Sequence, residues 1–188
     1  MINMMRLGVV ESGAPRQGGF TMVELMITVA IMATLTAIGA PMFTDTLRKV
    51  RLNSISGALV SSLQQARSDA IRLNRRVLVC ASNSGRTDCA GATNWGTNGW
   101  ILCYDEDAND ACDATTAALP NPIRVENTVN AAIATVTGPA ASVRFNPTGS
   151  SGDLGSATVT VAVTGAWGGA PTLNVTIAAT GVVKGSRL

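Results

Sequence analysis

Histidine is absent from the 188 residues, and with it go the commonest general base, the usual zinc ligand and every Ser-His or Cys-His nucleophile arrangement. Glycine-rich phosphate loops and paired-carboxylate motifs are missing too. These gaps predict a protein that is not an enzyme and that carries no metal and no cofactor. Charge is scarcest at one place: from Phe20 to Phe43 the only charged side chain is Glu24. A run that long and apolar is enough to span the ~30 Å hydrocarbon core as a helix. An acid inside such a span costs about 2.5–3.5 kcal/mol on insertion scales, so Glu24 calls for a partner, and the natural one is a cation.

Ahead of the run stands a polar leader ending in Gly18-Gly19. A secretory signal peptide is the plainer alternative, with Ala37-Ile38-Gly39 as its small-residue cleavage site. Its apolar stretch covers about 7–15 residues; the run here is longer, and Glu24 would be out of place in it. A generic membrane anchor is the other alternative. Topology is ambiguous from charge, because Arg6 and Arg16 precede the span while Arg48, Lys49 and Arg51 follow it closely. The four cysteines point to an oxidising compartment such as the periplasm, where disulfides persist. Cys80–Cys89 and Cys103–Cys112 each enclose eight residues (81–88 and 104–111), and two local staples are favoured among three connectivities. A cross-pair between Cys80 and Cys103 on adjacent strands stays open. A four-cysteine zinc site is disfavoured, since its ligands come in pairs two to four residues apart.

Beyond the span, Leu52, Ile55, Leu59, Leu63, Ala66, Ala70 and Leu73 recur at intervals of three and four. That stripe predicts an amphipathic helix over residues 44–76. Strands are expected at 76–82, 99–105, 123–126, 142–146, 157–164 and 172–178, with turns at Asn146-Pro147-Thr148-Gly149 and Gly168-Gly169-Ala170-Pro171. The fold class is therefore α+β: a long N-terminal helix, transmembrane over 20–43 and then amphipathic, packed on an antiparallel β-sheet domain over 77–188. Gly39 and Pro41 mark where that helix would bend or open first. Seven basic residues and one acid lie between Arg48 and Arg76, whereas Asp105 to Asp113 carries five acids and no base; the two regions are expected to complement each other, within a subunit or between neighbours. Trp95 and Trp100 read as packing aromatics. The run from Asp105 to Asp110 has oxygens enough for calcium, but it lacks the EF-hand glycine and terminal glutamate and reads as a solvated acidic turn.

Gly18-Gly19-Phe20-Thr21-Met22-Val23-Glu24-Leu25 resembles the amino terminus of the type IV pilin and pseudopilin superfamily. The resemblance implies cleavage of residues 1–19 by a prepilin peptidase between Gly19 and Phe20, and N-methylation of Phe20. It makes Glu24 the acid that neutralises a neighbouring subunit's terminal amine during assembly, and Pro41 the helix-kinking proline. Ser68-Asp69-Ala70-Ile71-Arg72, Val77-Leu78-Val79-Cys80, Trp95-Gly96-Thr97-Asn98-Gly99-Trp100-Ile101 and Phe145-Asn146-Pro147-Thr148-Gly149 occur in an order similar to the GspH/FimT/FimU group of minor pilins and pseudopilins.

This group implies a minor pilin that initiates or caps a type IV pilus. Such a protein sits in the inner membrane with its domain in the periplasm, and its partners are other pilins. Alternatives are a type II secretion pseudopilin, a competence minor pilin that binds DNA, and an anchored periplasmic binding module that never polymerises. DNA-binding FimT-type pilins carry Gly-Arg-x-Arg in the carboxy-terminal tail, where this chain has Gly181-Val182-Val183-Lys184 and then Gly185-Ser186-Arg187-Leu188. Lys184 and Arg187 alone predict weak duplex binding with a shallow salt slope, about 0.9 log units per phosphate contact.

Overall fold

Thr21 precedes the one α-helix among the described residues, α1 (Met22–Leu73). The structure, a computed structural model, describes residues 19–116, 120–152 and 158–188, without the side chains of 40–42; most of the expected leader (1–18) falls outside it. The chain divides into two units, Met1–Phe43 and Thr44–Leu188. In the first, the helix is apolar and long enough to cross a membrane by length and composition. Its large side chains are exposed, among them Met22, Leu25, Ile31 and Leu35. The helical assignment continues through Gly39 and Pro41.

In the second unit the expected stripe turns inward. Leu52, Leu59, Leu63, Ala66 and Ala70 are fully buried, and Ile55 and Leu73 pack against the same core from its edge. The helix ends at Leu73 rather than at 76, because Asn74 adopts φ 52°. Asn tolerates this left-handed conformation better than most residues, and it lets the amides of Asn74 and Arg75 donate to the carbonyls of Ile71 (3.4 Å) and Ala70 (3.2 Å). Arg75 and Arg76 are thereby released from the helix.

Among the described residues eight strands follow: β1 (Val77–Ala81), β2 (Trp100–Tyr104), β3 (Arg124–Val125), β4 (Ala134–Thr137), β5 (Val143–Phe145), β6 (Val159–Gly165), β7 (Thr172–Ile177) and β8 (Val183–Gly185). They form two four-stranded sheets, ordered β3-β2-β1-β5 and β4-β6-β7-β8, with every pairing antiparallel. β1 and β2 are buried along their whole length. In β6, Val161 and Val163 are buried, whereas Thr160 is exposed and Ala162 and Thr164 are half-buried. Residues of α1 and of both sheets meet in a single apolar cluster that includes Trp95, Trp100 and Phe145.

Two strands went unanticipated. β4 is four residues long with an inward-outward alternation, and β8 is a three-residue edge strand that includes a glycine. The residue expected to open β6, Ala157, lies outside the described residues, and the strand is formed from Val159. Trp95 and Trp100 are packed as expected, with Trp95 Nε1 donating to the Pro139 carbonyl at 3.1 Å.

Candidate assembly site

Immediately before α1, Gly19 and Phe20 are exposed and stand outside the helix. Thr21 and Glu24 form a reciprocal cap. Glu24 N donates to Thr21 Oγ1 at 3.2 Å, and Glu24 Oε2 accepts from Thr21 N and Thr21 Oγ1, each at 3.1 Å. This capping box satisfies helix-terminal amides that would otherwise lack partners. Its Thr-x-x-Glu signature was legible in the sequence, yet sequence reasoning assigned Glu24 to assembly alone and passed over Thr21. The geometry adds a constraint: both contacts fall on Oε2, the carboxylate is fixed one turn from Phe20, and its negative charge lies at the favourable end of the helix dipole.

In the globular unit the cysteines are joined as Cys80–Cys89 and Cys103–Cys112, with Cα separations of 5.6 and 5.4 Å. The two bridges are neighbours, since the sulfurs of Cys89, Cys103 and Cys112 lie within 4.8 Å of one another. Asp88 Oδ1 ties them further by accepting from the amides of Cys89 (2.7 Å) and Cys112 (2.9 Å).

The acidic turn is not a merely solvated loop. Asp105 is completely buried, accepts from the amides of Asn109 (3.1 Å) and Asp110 (3.3 Å), and faces Arg76 Nε at 3.5 Å. Glu106 pairs with Arg75, and Asp110 with Arg144. The expected complement between basic and acidic regions is made in part within one subunit, by Arg75 and Arg76, with Arg144 joining from outside the basic stretch. Burial raises the Asp105 carboxyl above its ordinary value, against the opposing pull of Arg76 and the two amides. Burial, helped by Asp107, raises Asp113 as well. Asp105, Asp107 and Asp113 bring their carboxylates within 4.8 Å of one another, but Asp105 and Asp113 already accept backbone amides of the turn, Asp113 from Glu106 at 2.7 Å.

Lys184 lies on β8 and Arg187 just beyond it, both exposed. Gly181 has a structural duty: at φ 74° it closes the β7–β8 turn, donating to the Ala178 carbonyl at 2.7 Å, and a Cβ there would lie 1.8 Å from the Gly149 carbonyl oxygen. Arg67 fastens the same turn by donating to the carbonyls of Gly149 (2.9 Å) and Thr180 (3.3 Å).

The family model described as "Type II transport protein GspH" matches residues 56–181, and that described as "Prokaryotic N-terminal methylation motif" matches residues 14–40. No curated protein matches the chain. Among solved structures, the fold is similar to the Pseudomonas aeruginosa type IV minor pilin FimU, with 19% identity, a TM-score of 0.52, and 76% of this chain and 90% of that one covered. A second crystal form of FimU aligns at 16% identity and a TM-score of 0.49, covering 71% and 90%. The methylation motif spans the Gly19–Phe20 junction and Glu24, the GspH model spans most of the globular unit, and the chain belongs to the GspH family of the type IV pilin superfamily.

Proposed function

We propose that this protein is a minor pilin that primes or caps a type IV pilus and acts structurally, without catalysis. The observation that carries the proposal is the first unit: an exposed apolar helix whose single acid stands one turn from the processing junction. Cleavage after Gly19 would free a cationic amine on Phe20. In a bundle of such helices that amine needs a counter-charge in a low dielectric, where a charge pair is far stronger than in water. Glu24 supplies it to a neighbour, its Oε2 held by Thr21. Gly39 and Pro41 give the helix a place to open when subunits pack. The disulfides support a periplasmic placement of the globular domain.

A second reading, a pseudopilin of a type II secretion system, is favoured by the GspH match itself. Deletion of the gene separates the two. Loss of surface pili with extracellular secretion intact supports the pilus reading; normal piliation with blocked secretion overturns it in favour of the pseudopilus.

A further inference from the structure

We propose that the free edge of β8 is a docking site for an extended acidic peptide segment of another protein, which adds a strand beside it. β8 ends its sheet, and the pairing fixes which backbone groups it leaves over. Ala178 N donates to Val182 O at 3.0 Å and Ser186 N to Asn174 O at 2.9 Å, with Thr176 opposite Lys184 between them. In an antiparallel ladder, hydrogen-bonded and non-bonded pairs alternate. The amide and carbonyl groups of Val182, Lys184 and Ser186 therefore turn toward β7, and those of Val183 and Gly185 turn away from it.

The outward edge borders a groove of about 600 Å³ whose other wall is α1, at Asn53, Gly57 and Gln64. Gly185 sits against this wall so closely that a Cβ would lie 2.7 Å from Val60. Val183 and Gly185 thus share the face toward α1, Arg187 beyond the strand also lines the groove, and Lys184 projects from the opposite face. A strand laid along the edge would direct alternate residues into the groove, where Val60 and Val183 offer apolar contact, and the residues between them toward Lys184.

Charge selects the occupant. No carboxylate side chain lines the groove, and Lys184 and Arg187 are in no salt bridge among the described residues. A second copy of β8 would set lysine beside lysine, whereas glutamates alternating with small apolar residues suit both faces. Main-chain pairing gives such a site its affinity and the alternating side chains its selectivity.

The test uses the full-length protein in nonionic detergent and fluorescent eight-residue peptides alternating Glu with Val, or Lys with Val. The acidic peptide is expected to bind roughly tenfold more tightly, about 1.4 kcal/mol, and Lys184→Glu with Arg187→Glu to reverse the preference. Two N-methylated acidic peptides test the backbone geometry without altering the protein. With methyls on the amides facing β8 binding is lost, and with methyls on the alternate amides it is kept. Absence of binding, equal binding of acidic and basic peptides, or equal effects of the two methylation patterns would overturn the proposal. Tighter binding of an oligothymidine than of the acidic peptide would overturn it too, in favour of a nucleic-acid groove.

Discussion

Arg76 and Asp105 show how a single residue's environment becomes a measurable dependence. Asp105 is completely buried and Arg76 retains 18% side-chain exposure, so Arg76→Ala leaves an ionised carboxylate in the core without its nearest counter-charge. The loss is expected to be about 2–4 kcal/mol at neutral pH, a little under the range for removing one member of a fully buried pair. The pH dependence has a definite sign. Asp105 is held above its ordinary value by burial, so its contribution to stability is full below the unfolded carboxylate pKa and is lost as pH rises through the higher native one. Urea unfolding of wild type and Arg76→Ala should therefore differ less at about pH 4 than at neutrality; an equal difference at both pH values contradicts the account. A second residue-scale expectation concerns Glu24. Glu24→Ala should leave membrane insertion intact, since it removes a costly charge, while abolishing entry into filaments; immunoblots of sheared pili with undiminished mutant subunit would refute the pairing. Glu24 stands out in the sequence because a lone charge in an apolar run is conspicuous. The burial of Asp105 does not, since nothing in an acidic stretch says which carboxylate turns inward.

Among the elements, the two disulfides close short loops, each with a sequence separation of 9. The chain-entropy model gives each about 2–3 kcal/mol. Replacing Cys103 and Cys112 by serine should lower the thermal midpoint of the globular unit, and scanning calorimetry on the oxidised proteins checks it; an unchanged midpoint would show that the hydrogen bonds accepted by Asp88 and the core hold these loops unaided. The helical stripe was readable because the 3.6-residue period persists from Leu52 to Leu73. So were the β6 alternation and the apolar runs of β1 and β2, whose lengths allow a pattern to repeat. β4 and β8 were not, for physical reasons that differ. Ala134-Thr135-Val136-Thr137 alternates only twice, and its identity as a strand rests on pairing with β6 far along the chain. Val183-Lys184-Gly185 carries no strand signal and exists because the Gly181 turn folds it back on β7. The end of α1 was misplaced by three residues because Arg75 and Arg76 are good helix formers locally, and the left-handed Asn74 outweighs them.

Taken as a whole molecule, the protein combines an apolar segment whose large side chains are exposed among the described residues and a globular unit whose acidic turn is paired with its own arginines. The first unit is fitted for other helices, and the second leaves β8, Lys184 and Arg187 open at its surface. The proposed assembly role depends on removal of the leader at one peptide bond, since a retained or wrongly cut segment would leave Glu24 with no neighbouring amine to neutralise. The most direct measurement is the intact mass of the protein recovered from sheared filaments. A chain beginning at Phe20 and carrying one added methyl group is the predicted result. A chain beginning at Ala40 or Pro41, or one found only uncut in the membrane, would contradict the account.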